Sequence, residues 1–377
     1  MTHAVLQVAD FAAPYAGSFV GMLCSLARTA SERGVRTIVV LPEEARQRPW
    51  CEELIAAGQA VEFVPAGAST LELGRTLAEI ARRAGATIIH THFVRFDVAA
   101  LLARWLLALR GMKLNVVWHV HSELKVRMTF ARRIKFFVKY RLLGSAVQAI
   151  PVSAGVMADL RGTGFPARNI NLILNGIDCD RATTAARPAR EVRKDLGILA
   201  DQKVLLIFAW KPLRKGLDIA MDAVASLGKS GLQVCLVAVG MDEMRAYLRQ
   251  QSSGDLPPWL RAAAPLESVA DYFQAADLFL CPSRSEGLSL AVLEALANGL
   301  PLVHSDIPAI QSARDNPAVV LCKPGDSASL AEAVRCVLSW TPDARARRTA
   351  LGASRVREES DVGAWAGRVF AVYEKFA

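Results

Sequence analysis

The sequence is poor in the signals that assign a chain quickly. No Gly-x-Gly-x-x-Gly follows its first apolar run, which disfavours a dinucleotide-dependent dehydrogenase. Its seven cysteines, Cys24, Cys51, Cys179, Cys235, Cys281, Cys322 and Cys336, are scattered without Cys-x-x-Cys spacing. An odd number in mostly apolar surroundings points to free thiols in a reducing compartment and against a zinc site. No internal repeat or low-complexity block is visible, and nothing in the composition suggests a disordered or fibrous chain. The N-terminus carries no basic leader and Asp10 soon interrupts its apolar run, so no signal peptide is expected. The apolar stretch around Asp97 to Met112 contains Arg104 and Arg110, and a spanning helix needs about 20 apolar residues. A soluble, cytoplasmic chain is therefore the expectation.

What the chain does have is length and apolar content. Its 377 residues, 52% of them hydrophobic, suffice for two or three domains with sizeable cores. The net charge of +9 is unevenly spread. From Leu124 to Arg141 stand Lys125, Arg127, Arg132, Arg133, Lys135, Lys139 and Arg141 with no acid among them, interleaved with Phe130, Phe136, Phe137 and Tyr140. Such a stretch suits an anionic membrane surface, a lipid-linked acceptor or nucleic acid, or it is a solvated helix face. The first of these would place the chain peripherally on the inner face of a membrane through residues 124–141.

Short β-rich runs alternate with longer helical patterns. The runs are Ala4–Ala9, Thr37–Leu41, Val61–Pro65, Thr87–His92, Asn115–Val120, Ala146–Ser153 and Asn171–Leu174, with helical spacing at Gly21–Arg33 and Leu71–Ala84 between them. The polar stretch Arg181–Lys194, with Pro188 and no strand signal, reads as a linker. The alternation then restarts with Val204–Ala209, Gln233–Val239, Leu278–Cys281, Leu302–His304 and Val319–Cys322. This pattern predicts an α/β chain of two doubly wound, Rossmann-like domains, residues 1–182 and 190–357, facing a central cleft. A C-terminal helix at about 358–377, with Trp365 and Tyr373, would cross back to the first domain or pack on the second. Ligands of such sheets sit beyond the carboxyl ends of the strands.

Two segments at strand ends carry charge that needs a reason. The first runs from Pro282 through Ser283, Glu286, Gly287, Leu288 and Ser289 into an apolar helix that holds Glu294 and stops near Gly299. Ser283 and Ser285 are candidate N-caps. A carboxylate on so apolar a helix is costly to bury without partners, so Glu294 faces either a polar cleft or a nearby base. If both acids were helical, eight residues would separate them by about 12 Å of rise, too far for a shared-proton dyad. They suit the grip of one long ligand, and the helix start between them, with Gly287 letting the backbone approach, suits a phosphate. The second segment is Lys211, Arg214 and Lys215 before Gly216, three cations at a strand end where a diphosphate could be neutralised.

Taken together these residues resemble glycosyltransferase family 4, whose members have the GT-B fold. The resemblance rests on PSRSEGLSLAVLEALANGLPLV at 282–303, NGID at 175–178, PVSAGVMADL at 151–160, RKGLD at 214–218, VADYFQAADLFLCPS at 269–283 and HVHSE at 119–123. It implies a retaining enzyme that transfers a sugar from a nucleotide-sugar to a sugar or lipid-linked glycan acceptor, in a bacterial polysaccharide or glycolipid pathway. By that resemblance Glu294 grips the donor ribose and Glu286 lies near the donor sugar. Gly287, Leu288 and Ser289 meet phosphate or sugar hydroxyls, and Lys215 neutralises the diphosphate, seconded by Lys211 or Arg214. His121, with His119 as the alternative, lies by the donor sugar, and Gly17 lies near phosphate and acceptor. The chain departs from the family in having Leu288-Ser289 after Glu286-Gly287, one glycine in its first loop, and Lys211 near the place of an arginine.

With cations and helix-end amides poised at the phosphate no metal cofactor is required, and the donor is expected to be UDP- or GDP-linked, the sequence not choosing between these or another nucleotide. Asp178-Cys179-Asp180 mimics an Asp-x-Asp metal motif, but it overlaps the NGID turn and is set aside. A sugar-nucleotide epimerase and a non-catalytic nucleotide-sugar-binding protein are the rival readings on the same architecture. A nucleic-acid binder would explain the basic stretch and not the acid pair.

Overall fold

The computed structural model describes residues 4–124, 134, 136–251 and 255–376. The chain divides into two compact units, residues 1–176 with 362–377, and residues 177–361.

The first unit is built on six strands: β1 Ala4–Ala9, β2 Arg36–Pro42, β3 Ala60–Val64, β4 Ala86–His92, β5 Asn115–Val120 and β6 Gln148–Pro151. The second has β7 Lys203–Phe208, β8 Val234–Val239, β9 Leu260–Ala263, β10 Leu278–Cys281, β11 Leu302–Ser305 and β12 Val319–Cys322. The sheet orders are β3-β2-β1-β4-β5-β6 and β12-β11-β10-β7-β8-β9. Ranked by sequence, both are the doubly wound order 3-2-1-4-5-6, and the pairings are parallel throughout. Strands buried on both faces must be apolar along their whole length, and β1, β8 and β10 are buried at every position. The second sheet carries one core on each side, around Phe208, Phe273 and Phe279 on one and around Leu236, Leu280 and Val334 on the other. In each sheet the winding direction reverses between its first and fourth strands, β1 and β4, or β7 and β10. The carboxyl ends of those pairs are where a doubly wound sheet leaves room for a ligand.

Helix Val362–Tyr373 belongs to the first unit: the Ser25 hydroxyl donates to the Val362 carbonyl (3.1 Å) and Gln7 Nε2 to the Tyr373 hydroxyl (3.0 Å).

Three stretches differ from the sequence reading. The expected linker Arg181–Lys194 folds as parts of helices Cys179–Thr183 and Ala189–Asp195. Each has an apolar residue, Ala182 or Val192, that is buried in the second unit's core, and the Asp271 carboxylate accepts the Ala186 and Arg187 amides between them (2.7 and 3.1 Å). Asn171–Leu174 forms no strand of its own; the Asn171 and Ile173 amides donate to the Ala149 and Pro151 carbonyls as an irregular border of β6 (2.8 and 3.2 Å). The helix bearing Glu294 begins only at Leu290, with Ser289 as N-cap, so Ser283 and Ser285 cap nothing and Glu286 lies in the preceding loop. The helical rise between the two acids therefore does not apply.

Within the basic stretch, Lys125, Arg127, Phe130, Arg132, Arg133 and Lys135 lie outside the described residues. Of the others, Lys139 is committed inward: its ammonium meets the buried Asp97 carboxylate at 2.6 Å, and Tyr140 packs beside Trp118 and Phe136. Ile134, Phe137 and Leu142 are exposed. Among the described residues no helix is long and apolar enough to cross a membrane.

Candidate active site

The second unit's site is assembled where β7 and β10 end. After β7 the chain makes one turn, Pro212–Lys215, and reverses at Gly216 before helix Leu217–Lys229. Gly216 has φ +73°, and a Cβ there would lie 2.1 Å from the Pro282 carbonyl oxygen. Only glycine lets this turn press against the loop after β10. Arg284 ties the two loops further: its amide donates to the Arg214 carbonyl (2.8 Å), and its guanidinium forks the Asp218 carboxylate (2.8 and 2.6 Å).

This close approach brings Lys215 onto Glu286. The ammonium bonds the carboxylate, whose same oxygen accepts the Ser283 hydroxyl at 2.8 Å. Both charges are largely withdrawn from solvent, the side chains being 12% and 6% exposed. Burial alone would push the Glu286 carboxyl up. The Lys215 ammonium more than offsets this, with help from Arg214 and Ser283, and holds it below the ordinary carboxylate range. Cys281 and His304 are register partners on β10 and β11. Burial opposes charge on both, yet their mutual attraction lowers the thiol and raises the imidazole.

Gly287 and Leu288 are buried, and Ser289 is partly exposed at the helix start. Glu294 is 5% exposed on helix Leu290–Ala297, amid buried Val292, Leu293 and Ala295. The three cations of the β7 turn separate. Lys215 meets Glu286, while Lys211 is exposed and pairs with Glu243 at 2.6 Å. Arg214 is exposed and near enough to act on Glu286 through space. Lys211 and Arg214 also border a recess of about 700 Å³ with Tyr247 and Gln250.

In the first unit His121 follows β5 and Gly17 opens helix Gly17–Glu32 with φ +56°. His121 is partly exposed, whereas His119 is 2% exposed. His121 lies beside Phe19 and Phe93, with ring centroids at 6.0 and 4.8 Å. Phe93 has φ +69°, a conformation that costs a non-glycine residue about 1–3 kcal/mol and gathers at functional sites. Burial pushes the His121 imidazole down to about 3, so it is neutral at physiological pH. Its Nε2 lies 3.3 Å from His92 Nδ1. The sequence reading missed Ser283 as the partner of Glu286, and it missed Gln7, His90, His92 and Phe93. Their signal was faint: a polar residue in the middle of β1 and a His-Thr-His at the end of β4.

Two doubly wound six-stranded sheets of the same order in one chain are the arrangement of the GT-B fold. Residues 22–181 match the sequence profile described as Glycosyltransferase Family 4, and residues 202–339 match that described as Glycosyl transferases group 1. The chain belongs to this family, the group 1 glycosyltransferases of family 4. It is 28% identical over 397 aligned residues to a D-inositol 3-phosphate glycosyltransferase of Catenulispora acidiphila, covering 95% of this chain and 90% of that one. A second such enzyme, of Geodermatophilus obscurus, is 32% identical over 190 residues, 47% of this chain and 42% of that one. The matched stretches span 42% to 60% of the length of the first curated relatives. Among solved structures, Anabaena HepE in complex with UDP-glucose shares the fold, with TM-score 0.82, 18% identity and 99% of each chain covered.

Proposed function

We propose that this chain is a retaining glycosyltransferase that moves a sugar from a nucleoside-diphosphate sugar to an acceptor hydroxyl in the synthesis of a bacterial polysaccharide or glycolipid. The observation that carries the reading is the buried Lys215–Glu286 pair at the β7/β10 switch point, just before an apolar helix that holds a second buried acid.

In the proposed reaction the bond between the anomeric carbon and the diphosphate oxygen breaks, and its electron pair passes to the β-phosphate. The acceptor oxygen bonds the anomeric carbon from the same face, and its proton goes to the departing phosphate oxygen. Negative charge builds on the phosphate, where Lys215, seconded by Arg214 or Lys211, and the amides of Gly287, Leu288 and Ser289 would stabilise it. Removing one such donor typically costs 10²- to 10³-fold in rate. Glu294 would hold the ribose hydroxyls and Glu286 would keep Lys215 placed and touch the donor sugar. His121, neutral and partly exposed, would hydrogen-bond a hydroxyl of that sugar, and Gly17 would let the first helix start approach phosphate and acceptor. HepE's UDP-glucose complex supports a uridine donor, with GDP-sugars as the alternative, and the inositol-phosphate enzymes support a small polar acceptor. The exposed Ile134, Phe137 and Leu142 support peripheral attachment to an anionic membrane surface through 124–141.

The test is product analysis of the full chain with a panel of UDP- and GDP-sugars and sugar or glycolipid acceptors. Release of nucleoside diphosphate coupled to a glycoside of the donor's anomeric configuration is expected. An epimerised donor formed without acceptor would favour the epimerase. Inverted product would overturn the retaining reading, and no turnover of any donor would favour a binding protein.

A further inference from the structure

Inside the first unit, three imidazoles lie buried together, and among the described residues the charges that bear on them are those of one another and of His121. His90 and His92 on β4 and His119 on β5 are each at most 2% exposed, and His121 extends the set outward. Burial pushes His90, His92 and His119 far below the ordinary histidine range, so all are neutral. A neutral imidazole has one N–H and one lone pair. A chain of such rings therefore has a direction, and whatever fixes one proton fixes them all.

Gln7, 0% exposed in the middle of β1, stands at the branch point. Its Nε2 donates to the Tyr373 hydroxyl at 3.0 Å and its Oε1 lies 3.1 Å from His92 Nε2. An amide oxygen only accepts, so His92 carries its proton on Nε2 and offers a lone pair at Nδ1. That lone pair faces His121 Nε2 at 3.3 Å, so His121 carries its proton on Nε2 and keeps Nδ1 as an acceptor. On the other branch, the Tyr373 hydroxyl receives from Gln7 and donates to His90 Nδ1 (2.6 Å), and His90 Nε2 donates to His119 Nδ1 (3.2 Å). That branch ends at His119 Nε2, which then carries that ring's proton, buried with no hydrogen-bond partner among the described residues. Turning the amide over reverses every bond and moves the His121 proton to Nδ1. The tautomer of the exposed ring is thus held by the orientation of one amide two residues away in the network.

We infer that Gln7, hydrogen-bonded to Tyr373, is a positioning residue that acts through His92 to present His121 Nδ1 as a hydrogen-bond acceptor. Its consequence for catalysis rests on the proposed place of His121 beside the donor sugar, where Nδ1 would accept from a sugar hydroxyl; the tautomer does not depend on that reading. A buried metal fits the cluster less well. One ring nitrogen from each of His90, His92 and His119 lies within 4.8 Å of the others, so distance alone does not decide against an ion. Both nitrogens of His90 and of His92 are already engaged.

The test reads the tautomer directly. The chain has six histidines, so long-range proton–nitrogen correlation on ¹⁵N-histidine protein resolves them, and loss of one set in His121→Gln assigns the ring. The expected wild-type result is a protonated Nε2 and a lone pair at Nδ1. Gln7→Met, close in shape and checked for folding by its melting curve, should give a mixture of tautomers. Tyr373→Phe, which keeps the ring packing and frees the amide to turn, should shift the ratio the same way by less. In transfer assays kcat of Gln7→Met should fall about tenfold, the worth of one hydrogen bond, with donor KM within about twofold. A wild-type His121 protonated on Nδ1, an unchanged ratio in folded Gln7→Met, or stoichiometric metal with metal-bound imidazole shifts would each overturn the inference. A tautomer shift in a chain that transfers no sugar would uphold it while removing the proposed function.

Discussion

Replacing Lys215 by methionine removes the charge that makes burial of Glu286 tolerable. The carboxylate is 6% exposed and, among the described residues, would keep the Ser283 hydroxyl as its direct partner, with Arg214 acting through space. Breaking a buried pair by removing one member typically costs about 3–5 kcal/mol, because the other charge is left uncompensated. For a unit of this size that is a fall in Tm of roughly 6–20 °C. The loss should depend on pH. In the wild type Glu286 is held below the ordinary carboxylate value of about 4.5. It therefore contributes stability above that pH, which disappears as pH falls through the folded pKa. Without Lys215 the carboxyl rises instead, so acid lets it protonate and relieves the strain. The gap between wild type and Lys215→Met should therefore be wide at pH 8 and narrow towards pH 5. Thermal unfolding followed by circular dichroism across that range measures it, and Lys215→Met with Glu286→Gln should recover most of the loss at pH 8. A fall below about 1 °C at pH 8, or a gap independent of pH, would refute the reasoning.

Gly216→Ala should destabilise the second unit by about 3 kcal/mol or more, from left-handed strain of about 1–2 kcal/mol plus the clash with the Pro282 carbonyl, and should abolish transfer. Gly299→Ala is the control: its φ is +67° but no atom lies within 4 Å of the new Cβ, so it should cost only the strain and leave turnover intact; equal losses in the two would contradict the role given to the Gly216 turn. Phe137→Ser with Leu142→Ser should reduce sedimentation with vesicles containing phosphatidylglycerol several-fold, because both side chains are exposed apolar surface next to a basic run; unchanged sedimentation would remove the membrane reading.

Much of the scaffold was legible because parallel strands are buried on both faces and so must be apolar from end to end, as in β1 and β8. β9 escaped notice since Leu260–Ala263 has Arg261 at its centre, whose guanidinium reaches back to the Leu196 and Gly197 carbonyls. The Arg181–Lys194 segment read as a linker because its helices are short and each buries few apolar residues; their anchoring comes from Asp271, distant in sequence. In the candidate site, Glu286, Glu294 and Lys215 stood out because charge beside apolar runs at strand ends demands a partner. Their pairing did not, since nothing local says that Lys215 rather than Lys211 reaches Glu286; the approach is set by Gly216 against Pro282. The imidazole network was less legible still. Gln7, His92 and Tyr373 lie far apart in sequence, and the fold alone brings them within hydrogen-bond reach.

The central claim is that the Glu286–Glu294 segment holds a nucleoside diphosphate. Isothermal titration of UDP and of GDP into wild type and Glu294→Ala tests it most directly. The account predicts one saturable site in the wild type for one of the two nucleotides, and binding at least about tenfold weaker in Glu294→Ala, since hydrogen bonds to a charged group are worth about 1.5–3 kcal/mol. Binding of neither nucleotide by the wild type, or equal affinity in the variant, would contradict it.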